Sequence, residues 1–268
     1  MKIDAILTPA ELPALAQRDL RETACVVFDV LRATSTFVTA LHNGAKAIIP
    51  ASEIVEALAI RGKQPDVLLG GERDGVKIRA AQTGGTDFDL GNSPREYTPE
   101  KVSGKTIVST TTNGTRALRA CAGAKTVLAG SFLNLTATAE FIKKLQPAEV
   151  LLVCAGTREN RADEDVLAAG ALCEILDVPL SRSLSPLGRG EGVRRTGEGF
   201  LQMTDSAEIA GRAWAQAKSD LAAAVSNATN ARRLLTIPEL RDDVAFCLQR
   251  DIFPLIAGME ADGAIRRQ

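Results

Sequence analysis

The chain has 268 residues, 45% hydrophobic and 24% charged, with a formal net charge of -1 and a pI near 6.0. That length and apolar fraction suit one large domain or two fused lobes. The charge balance argues against nucleic acid or an anionic membrane as the main partner, so an anionic ligand must be held by a local cluster. The five cysteines, Cys25, Cys121, Cys154, Cys173 and Cys247, are odd in number with no CxxC spacing, which suggests neither a disulfide framework nor a structural zinc site. A single histidine, His42, rules out a His-rich metal site and argues against a His-based triad. No apolar run of roughly 18 residues is present and the acid at Asp4 interrupts any leader-like start, so a cytoplasmic protein with no membrane span is expected.

In chain order, compact Val/Ile/Leu-rich runs predict strands at Ile3 to Leu7, Cys25 to Phe28, Ala47 to Ile49, Val67 to Leu69, Thr106 to Ser109, Thr126 to Leu128, Val150 to Val153 and Ile252 to Leu255. Helical spacing lies between them, as at Thr34 to Leu41 and Asp163 to Leu176. Further helices are predicted at Ala207 to Val225 and at Ile237 to Gln249, the latter with Pro238 in its first turn. The alternation predicts an α/β fold: a layered α/β/α architecture with a largely parallel or mixed sheet of repeated βαβ-like units. The segment from Ser181 to Gly199 is rich in Gly and Arg without hydrophobic period, and predicts an inserted, flexible surface loop.

A weak internal repeat supports that reading. Thr36, Gly44 to Ile49 and Ser52 align at one offset with Thr115, Gly123 to Leu128 and Ser131. These are either two related βαβ units facing one cleft or two units that look alike only because they are βαβ.

Four segments carry residues suited to chemistry. In the first, Asp29 follows a buried strand and Arg32, Thr34, Ser35 and Thr36 open a helix. Strand ends are where α/β proteins place their sites, and a helix start offers free N–H groups to an anion. Asp29 could hold a divalent ion and Arg32 could fork onto a phosphate; an ordinary cap needs fewer hydroxyls. The second, Ser109 to Arg116, repeats the pattern with Thr111, Thr112, Asn113, Gly114 and Thr115. The third is Gly70-Gly71-Glu72-Arg73 with the later Asn92-Ser93, offering a metal ligand and an anion contact, or merely a polar loop. The fourth is Cys154 to Thr157 followed by Asp163-Glu164-Asp165, acids that suit either a helix dipole or magnesium.

Several familiar chemistries are excluded. Gly104-Lys105-Thr106 looks like the end of a Walker A motif, but Pro99 stands at its first glycine and a strand follows it. Val30 and Leu31 follow Asp29, so no Asp-x-Asp is formed, and Asn160 stands where a Cys154-based phosphatase needs arginine. His42 reads as a packing residue.

The ordered blocks DVLRATST (Asp29 to Thr36), GGER (Gly70 to Arg73), FDLGNSPREY (Phe88 to Tyr97), STTTNGTRAL (Ser109 to Leu118), GSFLN (Gly130 to Asn134) and CAGT (Cys154 to Thr157) resemble the 2-phosphosulfolactate phosphatase family. Fainter likeness runs through ARRL (Ala231 to Leu234) and DVAFCLQRD (Asp243 to Asp251). The segment from Arg79 to Asp87 looks longer than in that family, which could reshape the pocket rim, and Ser181 to Gly199 looks inserted. The resemblance implies a magnesium-dependent phosphatase that converts 2-phosphosulfolactate, or a similar phosphorylated hydroxy acid, to the hydroxy acid and inorganic phosphate, a step toward coenzyme M. On that reading Asp29, Arg32, Glu72, Arg73 and Asp165 are catalytic. Asp29, Glu72, Glu164 and Asp165 hold magnesium. Thr34, Ser35, Thr36, Asn92, Ser93, Thr111, Thr112, Asn113, Gly114 and Thr115 bind the substrate. The expected partner is a small anionic phosphorylated molecule, with a homodimer left open. The alternatives are a phosphate-substrate isomerase or lyase, or a non-catalytic anion-binding module.

Overall fold

A computed structural model describes residues 1–177 and 201–268. The predicted loop from Ser181 to Gly199 lies outside the described residues. Before that gap the strands are β1 (Lys2–Ile6), β2 (Thr23–Phe28), β3 (Ala47–Pro50), β4 (Leu68–Arg73), β5 (Val76–Lys77), β6 (Thr106–Thr110), β7 (Thr126–Gly130) and β8 (Glu149–Cys154). After it come β9 (Gln202–Met203), β10 (Ala257–Met259) and β11 (Ile265–Arg267). Between them run α1 (Ala33–His42), α2 (Ile54–Lys63), the single turns α3 (Ala80–Thr83) and α4 (Pro99–Val102), α5 (Gly114–Ala120), α6 (Leu135–Leu145) and α7 (Asp163–Asp177). The C-terminal part adds α8 (Asp205–Ala217), α9 (Leu221–Ser226), α10 (Thr229–Leu235) and α11 (Arg241–Cys247).

The strands form one sheet in the order β5-β4-β6-β3-β11-β10-β7-β2-β8-β1-β9. Its central strands are buried on both faces, and the period of two assigns each residue to a layer. Val26 and Phe28 of β2, with Val150 and Leu152 of β8, pack beneath α6, α7 and α8. Cys25 and Val27, with Leu151 and Val153, pack beneath α1 and α5. This is the predicted layered α/β arrangement.

The antiparallel pair β10 and β11 divides the sheet. On one side β7, β2, β8 and β1 are parallel; on the other β3, β6 and β4 are parallel. Since β7 is antiparallel to β10, β10 to β11, and β11 to β3, the two groups run in opposite senses. Outward from the middle the order is β7, β2, β8 on one side and β3, β6, β4 on the other. Two βαβαβ units, β2-α1-β3-α2-β4 and β6-α5-β7-α6-β8, have therefore exchanged their first strands about an approximate twofold. The sequence repeat marked the first part of each unit, and the structure extends it to β4 and β8. Sheet twist accumulated over the intervening strands lets the ends of β2 and β6 meet over one face.

Three predicted elements change. The strand expected at Ile252 to Leu255 is not formed; the next strand is β10, starting at Ala257. Pro254 cannot donate to a ladder, and the run instead follows the loop after β7, with Phe253 N–H bonded to the Leu133 carbonyl at 2.9 Å. The helix expected over Ala207 to Val225 is two helices, because the Asp220 carboxylate accepts from Ala223 N–H and caps a new start. The helix expected over Ile237 to Gln249 is the shorter α11, and Pro238 lies in the turn before it.

Candidate active site

The four motifs occupy the ends of the first and third strands of both repeat units, and the structure brings them to one cleft with about 530 Å³ of atom-free space. Asp29 follows β2 and Glu72 ends β4, both more than nine-tenths buried. Thr112 and Asn113 come from the turn after β6, and Thr157 and Arg158 from the turn after β8. Gly114 is one of the places where the two halves touch closely. A Cβ there would lie 2.6 Å from Asp29 Oδ2 and 2.7 Å from the Ala33 Cβ, so only glycine fits.

Backbone groups hold the acids. Asp29 accepts from Ala33 N–H at 3.1 Å and from Gly114 N–H. Glu72 accepts from Thr112 N–H and Oγ1–H, both at 2.9 Å, and from Gly75 N–H at 2.6 Å. Asp165 takes Val30 N–H at 2.8 Å and Gly156 N–H at 2.9 Å, which ties the turn after β2 to the turn after β8. Glu164 accepts from Asn230 at 2.7 Å through one oxygen, while its Oε2 is buried without a partner among the described residues.

Burial disfavours the charged forms of these acids. It pushes Asp29 up to about 7, with the charges of Glu72 and Glu164 adding to the rise. Burial raises Glu164 as well, and holds Asp165 well above the usual carboxylate range with the charges of Glu164 and Asp29 behind it. Like charges crowded this way are relieved by protons or by a cation.

Most of the predicted hydroxyls face inward. Thr34 Oγ1 accepts from Asp29 N–H at 3.0 Å, Ser35 donates to the Val30 carbonyl at 2.8 Å, and Thr36 to the Asn92 carbonyl at 2.8 Å. Thr111 and Thr115 bond each other at 2.8 Å, and Ser93 donates to Asp243 at 2.7 Å. These side chains build the turns and none lines the cleft; Asn92, Thr112 and Asn113 do. Asn92 Oδ1 is buried and has no partner among the described residues. Arg73 turns away, bonding its own Glu72 carbonyl at 2.7 Å and Thr110 at 3.0 Å. The long segment from Arg79 to Asp87 contributes nothing to the cleft lining.

Arg32 does line the cleft, but both ends of its fork are engaged. Nη1 meets Asp243 at 2.7 Å and Nη2 the Gly75 carbonyl at 2.6 Å. Asp243 on α11 therefore fixes Arg32 from far along the chain. Asp243, Asp74, Gly75, Arg158, Asn230 and Arg233 are site residues that no local motif singled out. The Asp-Gly pair at 74–75 is a hairpin signal, and Arg233 and Asp243 fall in the two faintest matching blocks.

Arg116 is half exposed and pairs with Glu159 at 2.9 Å. Arg116→Lys is expected to change kcat/KM less than about threefold and stability by less than about 0.5 kcal/mol. Steady-state kinetics and urea unfolding of the variant check both values.

The 2-phosphosulpholactate phosphatase family model matches residues 7–262. The chain belongs to that family. Among similar proteins, one from Caldanaerobacter subterraneus subsp. tengcongensis is 48% identical over 165 residues, 61% of this chain and 65% of its own length. One from Thermotoga petrophila is 39% identical over 231 residues, 86% of each chain. One from Clostridium acetobutylicum is 34% identical over 257 residues, 96% of each. Each bears the name "probable 2-phosphosulfolactate phosphatase". No helix among the described residues of this family member is long and apolar enough to cross a membrane.

Proposed function

We propose that this chain is a magnesium-dependent phosphatase that hydrolyses 2-phosphosulfolactate or a closely similar phosphorylated hydroxy acid. The observation that carries the reading is the meeting of Asp29 and Glu72 in one cleft of a chain that belongs to this family. Their oxygens suit a hard cation, and the charge crowding around Asp29 is what such a cation relieves. Among the described residues no three acidic, histidine or cysteine side chains close into a ready-made cage. Magnesium is compatible with that, since it keeps several waters and uses one or two carboxylates together with the substrate's phosphate. Asp29 and Glu72 would hold it. Glu164 and Asp165, buried beside them, fix the turns, Asp165 through Val30 and Gly156 N–H and Glu164 through Asn230.

When bound, the metal would neutralise phosphoryl oxygens as charge develops. The chain's own groups do the rest. Thr112 and Gly75 orient Glu72; Ala33 and Gly114 orient Asp29. Water attacks phosphorus, the P–O bond to the hydroxy acid breaks, and the proton lost by water balances the one gained by the leaving oxygen. A carboxylate that does not hold the metal would take up that proton and return it.

The test is phosphate release from a panel of phosphorylated hydroxy acids. Activity is expected with magnesium, to fall to background with a chelator, and to return on adding magnesium. Conversion of the substrate without free phosphate would instead indicate an isomerase or lyase. Binding without any turnover would leave an anion-binding module.

A further inference from the structure

The cleft is lined by three arginines, and two already have partners. Arg32 is held by buried Asp243 and the Gly75 carbonyl. Arg158 leans on Asp74 at 3.5 Å across the mouth, both side chains well exposed. Arg233 is different. It lines the cleft, yet no ion pair or hydrogen bond of its guanidinium is formed with any described residue.

Its position is nonetheless specified. Arg233 lies against Gly75, where a Cβ would stand 2.6 Å from Nη2 and 3.1 Å from Cζ and Nε. Gly75 has φ +81° in the Asp-Gly turn between β4 and β5, and the same residue orients Glu72 through its N–H and Arg32 through its carbonyl. One glycine thus seats an acid and two guanidinium groups. From the other side, α10 sets Asn230 three residues before Arg233, hence on the same face. Asn230 reaches down to Glu164 and Thr157, both at 2.7 Å, while Arg233, one turn later, is exposed.

The fixed charges decide what Arg233 is free to do. The lining acids Asp29, Glu72 and Asp74 offset Arg32, Arg158 and Arg233 in number, and Asp243 behind Arg32 adds one more negative charge. An anionic substrate therefore meets no general positive surplus. Near the acids its phosphate needs a cation brought from outside the chain; away from them, Arg233 is the one uncompensated cation among the described lining residues.

We propose that Arg233 determines specificity by holding the substrate's second anionic group, a carboxylate or sulfonate on the carbon skeleton that carries the phosphate ester; this rests on the phosphatase reading given above. A planar guanidinium offers two parallel donors matched to such a group. The enzyme would then select phosphate monoesters with a second charge a few bonds away over neutral ones.

The probes are 2-phospholactate and its carboxyl methyl ester, which differ only in that charge. Turnover and calorimetric Kd are measured with magnesium for wild type, Arg233→Gln, Arg233→Lys and Arg158→Gln. Arg233→Gln is expected to lower kcat/KM for 2-phospholactate about 10- to 100-fold more than for the methyl ester, mostly through KM. Arg233→Lys keeps the charge without the fork and should recover part of the discrimination; Arg158→Gln should disturb it less. Equal losses on both esters, no loss, or discrimination lost in Arg158→Gln instead would overturn the assignment. If wild type releases phosphate neither from these esters nor from 2-phosphosulfolactate, the phosphatase reading fails, while the Kd ratio for the two ligands still decides whether Arg233 reads the second charge.

Discussion

Asp29→Asn is expected to reduce turnover on the order of 10²- to 10³-fold, the range for losing a group that stabilises developing charge, and to stabilise the metal-free fold above neutral pH. Asparagine keeps the shape, and its single carbonyl oxygen can still accept from Ala33 N–H. It loses the charge needed for a metal. The stability effect has the opposite sign. Burial is the main cause of the raised Asp29 pKa, about 7 in the fold against an ordinary value of 3.8. Below pH 3.8 the carboxyl is protonated in both folded and unfolded chains, so its ionisation costs nothing. Between 3.8 and about 7 the unfolded chain ionises first, and the folded state loses stability as pH rises. Above 7 the full penalty applies, about 4 kcal/mol. Urea unfolding of both metal-free proteins at pH 4 and pH 8 checks this. A variant that stays active, or gains no stability at pH 8 relative to pH 4, would remove Asp29 from the role given to it.

The second large effect is expected at the buried pair Arg32–Asp243, whose side chains are 2% and 0% exposed. Asp243→Ala leaves a guanidinium in the interior with one partner, the Gly75 carbonyl, and takes the acceptor from Ser93. Breaking such a pair from one side costs about 3–5 kcal/mol. The cost should reach function too, because Arg32 and Gly75 share the turn that orients Glu72. Arg32→Lys is expected to be milder in stability yet still impaired, since lysine cannot meet Asp243 and the Gly75 carbonyl with one rigid fork. The double change Arg32→Met with Asp243→Leu should be more stable than Asp243→Ala alone, because no unpaired charge remains. Urea unfolding of the three variants gives the order. Were Asp243→Ala to unfold like wild type, the pair would not tie α11 to the cleft.

The sequence by itself determined what depends on near neighbours along the chain. The doubly buried runs Cys25 to Phe28 and Val150 to Val153 read as strands because every residue there is apolar. Asp29 could be located because it directly follows such a run, and the Thr111 to Gly114 turn because it repeats that arrangement. The order of the matching blocks also carried the family. What local pattern could not carry was the direction in which a side chain points once the turns are packed. Thr34, Ser35, Thr36, Thr111 and Thr115 look the same in sequence whether they face a ligand or satisfy buried backbone groups, and here they do the latter. Arg32 looked like a free anion fork because its partner Asp243 is 211 residues away. Asn230 and Arg233 reach the cleft only because α10 packs beside the turns after β4 and β8, a contact between segments with no shared local signal. The exchange of first strands between the two units is of the same kind. A short repeat shows that two βαβαβ units are alike, but strand pairing over long sequence separations is set by how the two apolar layers close, and that is decided by the tertiary structure alone.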